Sequence, residues 1–147
     1  MAEVTRGAAA RVGVDLSKRV FQVHAVDRSG RVMLAKAMTP DRFYAWCAEL
    51  PAGCRVAMEA CGGAHHVARR PGLLGLDARL IAGHFVTPYR MAGKSGKNDA
   101  NDAAAICEAA GRPHMRFVPV KTAQQQGQLS VHRLREGYKA ERTALIN

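Results

Sequence analysis

The sequence predicts an α/β domain: a mixed five-stranded sheet with helices on both faces, followed by a carboxy-terminal helix. Three observations carry this. The chain has 147 residues, the size of one ordinary domain. Its first third holds valine-rich runs that alternate at the strand period, and the rest interleaves helical periodicity with short apolar runs. Hydrophobic residues make up 48% and charged residues 23%, enough apolar material for a core and too little low-complexity sequence for disorder.

Taken in order, RVGVDLSKRVFQVHAVD from Arg11 to Asp27 reads as a strand pair turned by Ser17, Lys18 and Arg19. Asp27, Arg28, Ser29 and Gly30 carry turn chemistry before a third run, Val32 to Met38, giving an antiparallel meander. Thr39, Pro40 and Asp41 open a helix in which Phe43, Trp46, Cys47 and Leu50 recur until Pro51 stops it. A fourth strand spans Arg55 to Ala60, bounded by glycines. A helix follows from Ala64 to Leu74, which Pro71 is expected to end early or kink, and then a fifth strand from Ala78 to Ala82. Residues 83 to 98 break periodicity and hold Arg90, Lys94 and Lys97 without an acid, which predicts a basic, mobile loop. Asn98 can cap a helix with an apolar stripe of Ala103, Ile106, Cys107 and Ala110, closed by Gly111 and Pro113. After a short run from Phe117 to Val120, a long polar helix is predicted from Thr122 to Asn147.

Charge narrows the partners. Lysine and arginine total 22 against 12 acids, a net charge of +10, which favours nucleic acid. No apolar run approaches the roughly 20 residues that span a bilayer, and the opening MAEVTRGAAA lacks a secretory signal, so a cytoplasmic protein without a membrane partner is expected. The four cysteines, at 47, 54, 61 and 107, form no C-x-x-C pair and read as buried reduced thiols. Cys61 and His65 share a helical spacing, but no second pair completes a zinc tetrahedron.

Four carboxylates are expected to converge. If the first and fourth strands are parallel neighbours joined by a right-handed crossover, Asp15 and Glu59 lie side by side on one sheet face. Asp99 and Asp102, three residues apart, project from one side of their helix. Carboxylates gathered in this way repel one another unless cations bind among them, and magnesium prefers such oxygen ligands. The alternative is a set of unrelated solvated acids, with Asp99 placed only to suit the helix dipole.

VGVDLSKRVFQVHAVD, VAMEACGGAHHVARR and above all KSGKNDANDAAAI resemble the amino-terminal DEDD domain of the insertion-sequence one-ten type transposases, a group that includes the Piv-type DNA invertases. The specific element is K-x-D-x-x-D-A, here Lys97, Asp99, Asp102 and Ala103, in combination with the two earlier acids. The resemblance implies an RNase-H-like (RuvC-like) fold over residues 1–120, with 121–147 beginning a long basic helix. It implies a metal-binding and catalytic tetrad of Asp15, Glu59, Asp99 and Asp102 with Mg²⁺ or Mn²⁺. It also implies strand exchange on DNA during transposition, a structured guide RNA encoded by the element, and a homo-oligomer in the full-length protein. Family members continue into a carboxy-terminal domain bearing a nucleophilic serine, so the chain is expected to be an amino-terminal fragment that does not complete recombination alone. A broken helix at Pro71 would distort the tetrad and weaken its hold on metal.

The remaining signals are weaker. Gly93, Lys94 and Ser95 suggest a phosphate loop, but Pro88 stands where a Walker motif needs glycine. Arg90, Lys94 and Lys97 are expected to contact phosphates beside the acids, against the alternative of a solvated loop. His65 and His66 receive no role. The tail cations Lys121, Arg133, Arg135, Lys139 and Arg142 suit a helix that follows RNA or DNA, or one that packs on a partner helix. Two rivals stand beside the transposase reading. One is an enzymatically silent nucleic-acid-binding or regulatory fragment of such a protein. The other is a sugar-kinase or actin-type ATPase, which shares V-G-V-D but needs a second phosphate-binding lobe.

Overall fold

A computed structural model describes residues 8–91 and 98–146. Six strands form one sheet: β1 (Arg11–Asp15), β2 (Phe21–Val26), β3 (Val32–Met38), β4 (Arg55–Glu59), β5 (Asp77–Ile81) and β6 (Phe117–Val118), in the order β3-β2-β1-β4-β5-β6. The first three make the expected antiparallel meander, β4 and β5 add in parallel to β1, and β6 closes the edge antiparallel to β5. The sixth strand exceeds the five predicted. It pairs through only two residues, too few for periodicity to separate it from a loop.

Alternation along β1 and β4 divides the helices between two faces. Val12, Val14, Val56 and Met58 point into a cluster with Phe43 and Cys47 of α1 (Pro40–Cys47) and Ala64, Val67 and Ala68 of α2 (Ala64–Leu73). On the other face Ala57 and Ile81 meet Val86 of α3 (Gly83–Val86) and Ala105, Ile106, Ala109 and Ala110 of α4 (Asp99–Ala110). The result is an α/β/α arrangement. From the sheet edge, α5 (Ala123–Ile146) runs on, with every residue from Ser130 to Ile146 exposed.

Two expectations are corrected. Pro71 neither ends nor breaks α2, which continues to Leu73; the proline stands inside the helix with its ring fully buried, so packing offsets the missing donor. The segment after β5 is not wholly irregular: α3 and a 3-10 turn at Thr87–Tyr89 order it, anchored by Val86 in the core. Lys94, Lys97 and the Gly93-Lys94-Ser95 hint lie outside the described residues.

The start of α5 is fixed by contacts that the sequence did not disclose. Thr122 and Gln125 form a reciprocal capping box: the Gln125 amide donates to Thr122 Oγ1 at 3.1 Å and the Thr122 amide donates to Gln125 Oε1 at 2.9 Å. Arg69 of α2 donates to the Lys121 carbonyl and to Gln126 Oε1, and His65 Nδ1 accepts from the Lys121 amide. His65 thus ties α2 to the segment leading into α5, and Arg69 ties it to α5 itself.

Candidate metal and nucleic-acid site

Parallel pairing of β1 with β4 aligns Val14 with Met58, so Asp15 and Glu59, each the next residue, stand together at the carboxyl ends of adjacent strands. Both share the face that α4 covers. That helix begins at Asn98, whose side chain accepts from the Asn101 amide at 2.8 Å, so Asp99 and Asp102 fall in its first turns and face the strand ends. Its approach is set by Gly13, two residues before Asp15: a side chain there would overlap the Ala103 carbonyl and the Cys107 amide. A glycine on the strand therefore lets the helix bring Asp102 to Asp15.

Asp15, Asp99 and Asp102 each offer a carboxylate oxygen, and these oxygens lie within 4.8 Å of one another. Glu59 stands beside this trio without joining it at that range. Its Oε2 accepts from Arg90 Nη2 at 2.8 Å, while Arg90 Nε donates to Asp102 Oδ1 at 2.7 Å. The third guanidinium nitrogen, Nη1, donates to Thr87 Oγ1 at 3.1 Å, and that hydroxyl donates to the Gly83 carbonyl. A Cβ on Gly83 would come within 2.5 Å of Glu59 Oε1, so the carboxylate occupies space that only glycine leaves open.

The electrostatics follow from this packing. Burial, then the negative charges of Asp102, Asp99 and Glu59, push the Asp15 carboxyl up to about 6, with Arg90 acting in the opposite sense. Burial disfavours the Arg90 charge, but Asp102 and Glu59 outweigh it and hold the guanidinium above its ordinary value. Among the described residues, Arg90 pairs with two of the four acids, Glu59 and Asp102.

The sequence-predicted residues thus divide. Asp15, Asp99 and Asp102 come together, and Glu59 is adjacent but turned toward Arg90. Arg90, expected to contact phosphate, lies at the site with its guanidinium engaged by acids. Arg133, Arg135 and Lys139 are exposed on α5, where Lys139 also pairs with Glu136 at 2.9 Å. Sequence reasoning missed Gly13, Gly83 and Thr87. Their importance lies in contacts across the fold, and the only local signals were a glycine inside a strand pattern and another just after one.

Three of the four cysteines are buried as expected; Cys61 is exposed, because it lies in the turn between β4 and α2. Burial pushes the Cys47 thiol up to about 12 and the Cys54 thiol up to about 11. Among the described residues no helix is long and apolar enough to cross a membrane.

A mixed sheet in this order, helices on both faces and acids gathered at the ends of β1 and β4 define a domain of the RNase-H-like class. Comparison with known proteins gives the family. Residues 12–147 match the model of the IS110-type DEDD family, described as Transposase, and the chain belongs to that family. It is similar to a probable family 20 transposase of Pseudomonas aeruginosa, 51% identical over 93% of this chain and 39% of the relative. It is also similar to the transposase for insertion sequence element IS1328 of Yersinia enterocolitica, 40% identical over 92% of this chain and 40% of the relative. The transposase for insertion sequence element IS1111A of Coxiella burnetii is 43% identical over 92% of this chain and 36% of its own length. The chain therefore spans two-fifths or less of these curated relatives.

Proposed function

We propose that this domain supplies the acidic catalytic centre of a DNA transposase, with Asp15, Glu59, Asp99 and Asp102 holding one or two Mg²⁺ or Mn²⁺ ions at a DNA phosphate. The observation that carries this reading is the meeting of three carboxylate oxygens within 4.8 Å, drawn from β1 and α4, which are separated by more than eighty residues of chain. The donor set suits the ion: all ligands are hard oxygens, and among the described residues the four acids outnumber the one guanidinium that pairs with them. When bound, a divalent ion in such a site acts as a Lewis acid toward phosphoryl oxygens. The protein's own part is positional. β1 and β4 fix Asp15 and Glu59 on rigid strand ends, and the Asn98 cap fixes the direction in which Asp99 and Asp102 leave α4.

DNA is the partner this reading requires. Arg133, Arg135 and Lys139 on exposed α5 supply phosphate contacts, with Lys94 and Lys97 proposed to do so nearer the acids. Arg90 is instead engaged by Glu59 and Asp102. A structured guide RNA, assembly of the full-length protein into a homo-oligomer, and dependence of complete strand exchange on a serine-bearing carboxy-terminal domain belong to the same proposal. A second reading, a catalytically silent nucleic-acid-binding module, is favoured by the exposed basic α5 alone. Metal-dependent nicking of element-end DNA separates the two. Nicking by the wild-type chain, lost in Asp102→Asn, supports the catalytic reading; DNA binding with no nicking in either protein supports the binding module.

A further inference from the structure

We propose that Arg90 is a resident cation that competes with the divalent ion for the acid cluster, so that loading the site means releasing Arg90 from Asp102. The proposal rests on the metal-site reading above and adds a competitor to it. The guanidinium bridges a carboxylate from β4 and one from α4, at 2.8 Å to Glu59 and 2.7 Å to Asp102. Asp102 is also one of the three acids whose oxygens lie within 4.8 Å of one another, so the same carboxylate serves both cations. Two positive groups that share a ligand oppose each other, and by linkage each weakens the other by the same factor.

The surroundings suit a placeholder better than a permanent strut. The Arg90 side chain is 29% exposed, and among the described residues its hydrogen-bond partners are Glu59, Asp102 and Thr87 rather than groups of the apolar core. It can therefore leave the acids for water without opening the fold. Its resting position is nevertheless defined, because Thr87 holds Nη1 and is itself tied to the Gly83 carbonyl. In the metal-free protein this arrangement relieves repulsion between Glu59 and Asp102.

The test is titration with Mn²⁺ alone, followed by the electron paramagnetic resonance signal of the free ion, on wild type, Arg90→Gln, Arg90→Lys and Thr87→Ala. Thermal melts without metal accompany it. Arg90→Gln is expected to bind Mn²⁺ about tenfold more tightly and to melt lower when metal-free. Arg90→Lys, which keeps the charge, should return affinity toward wild type, and Thr87→Ala, which only loosens the arginine, should tighten binding by a smaller factor. If wild type binds Mn²⁺ and Arg90→Gln binds it equally or more weakly, the competition is overturned while the metal site stands. Should Arg90→Gln fail to fold, Thr87→Ala decides: unchanged or weaker affinity overturns the proposal. Absence of Mn²⁺ binding in every protein overturns the metal site and the competition together.

Discussion

Gly13 of β1 lies against the backbone of α4 at Ala103, closely enough that a methyl group would overlap the Ala103 carbonyl and the Cys107 amide. Because the obstacle is helix backbone, the clash cannot be relieved by rotating a side chain. Gly13→Ala is therefore expected to push α4 off the sheet, separating Asp102 from Asp15. The cost is about 3 kcal/mol, at the upper end of ordinary overpacking, or roughly 10 °C in Tm for a domain of this size. Thermal unfolding measures it; a Tm within a degree or two of wild type would contradict the close-approach account.

Gly83 presents the opposite case. A methyl group there meets the far end of the Glu59 side chain, 2.5 Å from Oε1, which can move at little cost to the core. Gly83→Ala should leave Tm nearly unchanged while displacing Glu59 and reducing divalent-ion affinity by about tenfold, as loss of a supporting contact commonly does. Parallel melts and Mn²⁺ titrations check the split, and a large drop in Tm with unaltered affinity would go against it.

The raised Asp15 carboxyl fixes the sign of a pH effect. Its ordinary value is 3.8 and its value in the fold is about 6, so across that window the native state binds more protons than the unfolded state. This residue's contribution to metal-free stability therefore falls as pH rises from about 4 to about 6 and stays at the lower level above. Asp15→Asn removes that decline. Urea unfolding at a series of pH values should show the variant gaining on wild type between pH 4 and 7; parallel profiles would contradict the electrostatic reading of the cluster.

Thiol labelling reports on packing away from the site. Cys61 is exposed, while Cys47, Cys54 and Cys107 are buried, and burial raises all three buried thiols above their ordinary values. One thiol should react promptly with a disulfide reagent at neutral pH and three more only on denaturation. Rapid modification of Cys47 in the native protein would show that α1 does not seal the face it covers.

The parts legible in the sequence were those governed by local rules. Alternation in β1, β2 and β3, the Thr39-Pro40-Asp41 helix start and the Asn98 cap are short-range signals, and each element forms where they place it. The juxtaposition of β1 with β4 was a condition of the sequence reading, and the parallel pairing found between them is what stands Asp15 beside Glu59. The engagement of Arg90 was hidden because its partners lie 12 and 31 residues away, in elements whose relative placement depends on Gly13 and Gly83. Pro71 misled because its local effect on a helix is legible in the sequence, whereas the burial of its ring against the rest of the fold is not.

Acids from β1, β4 and α4 are proposed to share a divalent ion. Calorimetric titration of Mg²⁺ or Mn²⁺ into wild type and Asp15→Asn tests it most directly. Wild type is expected to bind saturably and the variant at least about tenfold more weakly; a silent titration in both proteins, or identical isotherms, would show that these acids hold no common ion.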